Sequence, residues 1–272
     1  MSTKYLFLDV DGTIVDFDGT MAESAETALK TAQKNGHKLI LCTGRCTGQL
    51  YPMLTERINF DGFITSAGAR VRYGGKVISE KIFSRQQLRR FIRVCDESGT
   101  FLYAHIDEGL AATEKDIRGI YGVFKEIGID SEATNSLLGK IAPVDSLEMD
   151  GIERLIYCGS AYEHEEMRAV LGGEFMVDPY SFQNMPNTSG EVNLAGVTKA
   201  SGIHALVSHL GASMDDTIAF GDNWNDISMI RAAKIGVVMG NAPEELKAEA
   251  DMVTDHIRQD GLYNAFVRLG LI

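Results

Sequence analysis

With 272 residues, 44% of them hydrophobic, the chain is long enough for two ordinary domains or for one large domain carrying an insertion. Lys and Arg number 26 against 38 Asp and Glu, and a net charge of −12 argues against nucleic acid or an anionic membrane surface as a partner. Four cysteines (Cys42, Cys46, Cys95, Cys158) without a CxxC pair frame neither a disulfide scaffold nor a zinc site, and they are expected as reduced, mostly buried thiols. The first apolar run stops at Asp9 and no stretch of about 18 apolar residues follows, so a cytoplasmic protein with no membrane span is expected.

In chain order, residues 5–8 read as a buried strand that ends in Asp9-Val10-Asp11-Gly12. Along an extended backbone Asp9 and Asp11 point to one side, close enough to repel unless a cation or a shared proton separates them. Metal-assisted chemistry is the first expectation, and an acidic turn closing the strand is the plainer alternative. An EF-hand loop does not fit, because its sixth and twelfth positions counted from Asp9 are Ile14 and Thr20. Thr20 and Glu23 predict a capping box for a helix over 21–34 that stops at Asn35-Gly36. A strand over 38–42 delivers Thr43-Gly44-Arg45, a helix over 47–56 follows, and a third strand spans 62–65. Strands alternating with helices imply right-handed βαβ units and a parallel sheet whose crevice lies at the strands' carboxyl ends.

At 71–78 the pattern becomes a hairpin around Gly74-Gly75, which is expected to leave the first sheet. Ser84 and Gln87 cap a helix through Glu97, and strands over 101–106 and 155–159 flank a helix over 114–127. Ser160 and Glu163 predict a capping box for a helix ending at Gly172-Gly173, before a strand over 174–177. This middle third reads as an α+β insert over 83–188 that divides a core domain of 1–82 and 189–272. The βα rhythm then resumes with a helix over 198–210 and a strand over 217–220 ending in Gly221-Asp222. A strand over 235–239, a helix from Pro243, a strand over 252–254 and a helix over 262–269 complete it. The expected fold class is α/β: a Rossmann-like parallel-sheet core domain with an inserted α+β cap domain.

The second acidic cluster is Gly221-Asp222-Asn223-Trp224-Asn225-Asp226. If a helix starts here, Asp222 and Asp226 share a face and suit a hard cation such as magnesium, whereas helix capping by Asn and Asp is the plainer alternative. Lys199 lies just inside a predicted helix, where a cation is slightly unfavourable unless an anion compensates it; a solvated surface lysine is the alternative. The stretch 190–199 lacks P-loop spacing, and His204 and His209 are five apart, off a common helical face.

Asp9-Val10-Asp11-Gly12-Thr13, Thr43-Gly44-Arg45, Lys199 and the 221–226 block resemble the four motifs of the haloacid dehalogenase-like superfamily, in family order. Gly-Val-Thr-Lys, Gly-Asp-x-x-Asn-Asp and Met239-Gly240-Asn241-Ala242 are similar to its Cof-like phosphatases, and the insert stands where that group carries a type IIB cap. The resemblance covers roughly residues 4–80 and 190–268. It implies Asp9 as nucleophile, Asp11 as acid and base, and Thr43, Gly44, Asn225 and Lys199 on the phosphoryl group. It further implies Mg2+ held by Asp9, the carbonyl of Asp11 and Asp222, with Asp226 in support. The implied function is a phosphatase acting on a small phosphorylated metabolite beneath a mobile lid, with a phosphomutase or a non-catalytic metabolite-binding protein as alternatives. Arg45, Arg70, Glu191, Asn193 and Trp224 are candidates for contact with the substrate. One departure is Ser66-Ala67-Gly68-Ala69, with Ala67 where relatives often carry asparagine.

Overall fold

The computed structural model describes residues 2–181 and 185–272. In chain order it lays down β1 (Tyr5–Leu8), α1 (Glu23–Lys34), β2 (Lys38–Cys42), α2 (Pro52–Arg57), β3 (Gly62–Thr65) and the hairpin β4 (Arg70–Tyr73) and β5 (Lys76–Glu80). There follow α3 (Arg85–Glu97), β6 (Phe101–Ile106), β7 (Gly109–Ala112), α4 (Glu114–Glu126), α5 (Ser131–Leu138) and β8 (Ile141–Pro143). Next come β9 (Arg154–Cys158), α6 (His164–Leu171), β10 (Phe175–Pro179) and β11 (Gly190–Leu194). The chain closes with α7 (Lys199–Leu210), β12 (Thr217–Gly221), α8 (Ile227–Ala232), β13 (Ile235–Val238), α9 (Glu244–Lys247), β14 (Met252–Val253) and α10 (Gly261–Arg268).

Two compact units result: Met1–Gly44, Tyr51–Ser79 and Thr198–Ile272 form one, Arg45–Leu50 and Glu80–Val197 the other. The first holds a sheet in the order β14-β13-β12-β1-β2-β3-β4-β5, parallel from β14 to β3. β1 is sandwiched, with Leu8 opposite Phe220 on one side and Leu41 on the other. Its core gathers Phe7, Ile40, Ile64 and Ala219 from the strands against Ile203, Leu206 and Met229 from the helices. From β1 the strands run outward in one direction through β2 and β3 and in the other from β12 through β13, so the winding reverses between β1 and β12. In such sheets the ligand crevice opens at that reversal, outside the strands' carboxyl ends.

The second unit is an α+β insertion with a mainly antiparallel sheet in the order β10-β11-β9-β6-β7-β8. Its boundaries differ from 83–188. β11 belongs to this sheet, paired with β10 and β9, and not to the resumed βα rhythm. Arg45–Leu50 also joins it. Cys46 is buried there with Leu110, Ile120 and Phe124, and its thiol donates to Gly109 O at 3.2 Å while Gly48 N donates to Asp107 O. Burial pushes the Cys46 thiol up to about 12, as expected for an inert reduced cysteine.

Other local expectations are corrected. The hairpin at Gly74-Gly75 extends the first sheet instead of leaving it, because β4 pairs antiparallel with β3. The helix expected over 47–56 is a 3₁₀ turn at Thr47–Gln49 followed by α2, broken where Pro52 forces Tyr51 into extended backbone. The Thr20 box does not form: Thr20 donates to Asp18, and α1 starts after Ala22 with no side-chain cap. The box at α6 uses Glu163 and Glu166, three residues later than Ser160 and Glu163. That at α3 is formed by Ser84 and Gln87 as expected. All four cysteines are free and buried, and among the described residues no helix is long and apolar enough to cross a membrane.

Candidate active site

Beyond β1 the chain turns tightly, Val10 O accepting from the N–H groups of Thr13, Ile14 and Val15. Asp9 N donates to Phe220 O at 2.9 Å, which ties the tip of β1 to β12. Gly12 adopts φ +83°, and a Cβ there would stand 2.0 Å from Asp222 Oδ2, so the turn needs both the conformation and the missing side chain of glycine. Asp222 is thereby seated against the β1 turn. Thr13 Oγ1 lies 3.4 Å from its Oδ1 and Asn241 Nδ2 3.3 Å from its Oδ2. The same Nδ2 donates to Gly12 O at 2.9 Å, while Asn241 Oδ1 accepts from Ile257 N.

Asp222 and Asp226 converge without sharing a helical face. Residues Trp224–Asp226 form a 3₁₀ turn, α8 begins only at Ile227, and Asp226 Oδ2 folds back to accept from the N–H groups of Asp222 and Asn223 at 3.0 and 3.1 Å. Lys199, the first residue of α7 after its cap Thr198, donates from Nζ to Asp9 Oδ1 at 2.6 Å and to Asp226 Oδ1. The anion expected beside that lysine is therefore a pair of carboxylates from opposite ends of the chain. Asp9, Asp222 and Asp226, all buried, offer oxygen atoms within 4.8 Å of one another.

Three buried carboxylates thus face one buried ammonium. Burial first, then the Asp226 charge, raises the Asp9 carboxyl to about 7; the same two causes, with Asp9 adding to them, raise Asp222 to about 9. For Lys199 burial opposes the charge, but Asp226 and Asp9 outweigh it and hold the ammonium well above its usual value. Fully ionised, the cluster would carry two negative charges in excess, and the donor set is all carboxylate oxygen. Both facts fit a hard divalent cation, whose charge would offset the burial and the repulsion that keep these acids weak.

The remaining expected residues fall around this cluster. Thr43 closes β2, its N–H donating to Ile64 O and its carbonyl accepting from Ala67 N at 3.0 Å; half-buried Gly44 follows. Ser66 and Ala67 are left-handed (φ 48° and 55°), and Gly68 packs so close to Thr198 O that a Cβ would come within 2.0 Å. Ala67 therefore braces Thr43 through its main chain, a task that asks nothing of its side chain. Asn225 Oδ1 is buried without a hydrogen-bond partner; turned over, that amide would present a donor at the same place. Asp11 is half-buried, and its Oδ1 accepts from the Tyr51 hydroxyl at 2.9 Å.

Trp224, the single tryptophan, is 47% exposed within the 221–226 loop, whereas Arg70 is buried in β4. Glu191 is held by Arg154 and Ser181 inside the second unit, Asn193 is buried in β11, and Arg45 Nη1 donates to Gln49 O. Sequence reasoning gave no role to Asn241, noticed only in a family-like tetrapeptide, or to Tyr51, which nothing local marks.

A profile of haloacid dehalogenase-like hydrolases matches residues 6–266. The chain belongs to the haloacid dehalogenase-like hydrolases. It is 30% identical over 275 residues, and over the whole of both chains, to YkrA of Bacillus subtilis, whose phosphatase designation is provisional. It is 27% identical to the pyridoxal phosphate phosphatase YbhA of Escherichia coli, covering 95% of this chain and 97% of that one. Among solved structures, a subclass IIB sugar phosphatase of the superfamily superposes with a TM-score of 0.78 at 28% identity, covering 99% of this chain and 100% of the other. The Rossmann-like core with an inserted α+β cap is therefore the family architecture.

Proposed function

We propose that the protein is a magnesium-dependent phosphatase that hydrolyses a small phosphorylated metabolite, a sugar phosphate or similar phosphomonoester, through an aspartyl-phosphate on Asp9. The observation that carries this reading is Lys199 Nζ, buried and bonded at once to Asp9 and Asp226. A fixed cation on a carboxylate nucleophile offsets the repulsion that otherwise keeps an anion from a phosphate.

Asp9 attacks phosphorus, and Asp11 gives a proton to the leaving alcohol oxygen, then takes one from the water that opens the acyl phosphate. Thr43 Oγ1, the Gly44 N–H, the Asn225 amide and Lys199 hold the phosphoryl oxygens. Asp9, Asp222 and the Asp11 carbonyl would hold Mg2+, with Asp226 fixing the Asp222 main chain and Lys199 from behind. When bound, the ion neutralises charge on the phosphoryl group and its nucleophile. Relatives that carry the names of pyridoxal phosphate and sugar phosphatases support the substrate class.

The test is release of inorganic phosphate from a panel of sugar phosphates, polyol phosphates, nucleotides and pyridoxal phosphate with millimolar magnesium. Asp9→Asn is expected to lower turnover on the order of 10⁴-fold or more with the thermal midpoint retained. Wild-type rates from that variant remove Asp9 from the nucleophile role. Release that depends on a bisphosphate activator marks a phosphomutase, and ester binding without release marks a binding protein.

A further inference from the structure

We infer that Asn241 is a positioning residue of the cation site: its side-chain amide fixes the Asp222 carboxylate and the turn after β1 relative to each other before any ion arrives. The inference rests on the magnesium-dependent reading above. Asn241 lies three residues beyond β13, the strand beside β12, so chain order brings it to the end of the sheet where Asp222 stands. Its backbone is seated by Gly240, whose N–H donates to Asp255 O at 3.0 Å and where a Cβ would come within 2.5 Å of His256 N. Glycine lets the two stretches lie that close. The amide then meets three segments of the same compact unit. Oδ1 accepts from Ile257 N at 3.0 Å, while Nδ2 donates to Gly12 O at 2.9 Å and stands 3.3 Å from Asp222 Oδ2.

The partners decide which end of the amide faces which. A main-chain N–H can only donate and a main-chain carbonyl can only accept, so Oδ1 faces Ile257 and Nδ2 faces Gly12. The second hydrogen on Nδ2 is available to the Asp222 carboxylate, a charged acceptor. One donor group is thus shared by a carbonyl oxygen and a carboxylate oxygen, which would repel each other without it. The link reaches further along the turn. Gly12 N donates to Val15 O at 2.7 Å, and in a planar trans peptide the Asp11 carbonyl points away from that N–H. Val15 O and the Asn241 amide therefore grip Gly12 at its two ends and hold the peptide that carries the Asp11 carbonyl. Two of the three groups assigned to the ion, the Asp222 carboxylate and the Asp11 carbonyl, are tied in this way to one amide outside the donor set. Groups that orient metal ligands from outside are worth about 10–100-fold in affinity.

Asn241→Ala removes all three contacts. The measurement is the dissociation constant of Mg2+ for the full-length protein by titration calorimetry, with circular dichroism checking the fold at the same temperature. That constant is expected to rise about 10–100-fold over wild type. Asn264→Ala is the structural control. Asn264 Nδ2 donates to Asp255 Oδ2 at 2.8 Å and to Gln259 O at 3.1 Å, so its loss loosens the segment that carries Ile257, and neither bond involves Gly12 or Asp222. This variant is expected to lose thermal midpoint and to bind Mg2+ as wild type does. If Asn241→Ala does not fold, Asn241→Ser, which keeps a short polar group, takes its place with the same expectation. A folded Asn241 variant that binds Mg2+ as tightly as wild type overturns the inference. So does an equal loss of affinity in Asn264→Ala, which would reduce Asn241 to a support of the loop. Asp222→Asn separates this role from the reading beneath it. If Asp222→Asn abolishes Mg2+ binding and the Asn241 variant does not weaken it, only the role of Asn241 fails. If wild type shows no saturable Mg2+ binding, or Asp222→Asn binds as wild type does, the metal reading fails and the inference falls with it.

Discussion

Each unit buries ionised side chains, and they do so differently. In the second, Arg154 and Glu191 pair inside the sheet, side chains 4% and 6% exposed, and Glu191 Oε1 also accepts from the Ser181 N–H and hydroxyl. Opposite charges meet there in a direct pair. Beside the pair, burial first and then the Arg154 charge hold His105 well below its usual value, so it stays neutral. In the first unit one ammonium faces three carboxylates, and two of those acids are weakened by burial. A matched buried pair completes itself, whereas an unmatched cluster is complete only with something that the chain does not provide.

The largest effect that separates the two is Lys199→Ala. It strips the Lys199 ammonium from the carboxylate cluster, and the unfolding free energy in chelator should fall by about 3–5 kcal/mol, read by urea denaturation. Unchanged stability would mean that the cluster is already neutralised by protons. Next, Glu191→Gln removes the buried ion pair with Arg154 and should cost about 2 kcal/mol, yet the rise in thermal midpoint on adding magnesium should persist. Asp222→Asn should show the reverse, little loss in chelator but no magnesium-induced rise, where wild type gains about 2–3 kcal/mol at saturating ion. A magnesium response lost in Glu191→Gln would erase the contrast.

The smallest effect is on pH. Asp9 and Asp222 have folded values of about 7 and about 9, above the 3.8 of an ordinary aspartate, so the folded state keeps protons that the unfolded state has released. Their contribution to stability is full below about pH 4 and is lost as pH rises through those values. In chelator the wild type should therefore lose stability between pH 5 and 9 relative to Asp222→Asn, and magnesium should bind more tightly toward the alkaline end. Parallel pH curves for the two proteins would contradict the burial argument.

Much of the first unit was legible because its signals are local. An apolar run ending in Asp9, another ending in Thr43 and a third ending in Gly221-Asp222 mark strand tips without reference to anything distant. Failures came where partners decide. Gly190–Leu194 has the composition of a strand in either sheet, and only pairing with β10 and β9 settles which. Thr20 has the residue type and spacing of a cap, but its hydroxyl is taken by Asp18. Asp222 and Asp226 meet as expected, though through a carboxylate that folds back on two amides instead of through helical periodicity. Tyr51 meets Asp11 across forty residues, and no pattern within either stretch announces it.

The central place of β1 has a consequence for how the protein is made. Its two flanking partners are β2, which follows within the first 42 residues, and β12, which begins at Thr217. Until Thr217–Gly221 have left the ribosome, one edge of this apolar strand has nothing native to pair with, and Asp9 waits 190 residues for Lys199. The inserted unit, whose six strands all lie between Phe101 and Leu194, can complete its sheet before then. Synthesis thus allows the inserted sheet to form before the Asp9–Lys199 cluster can.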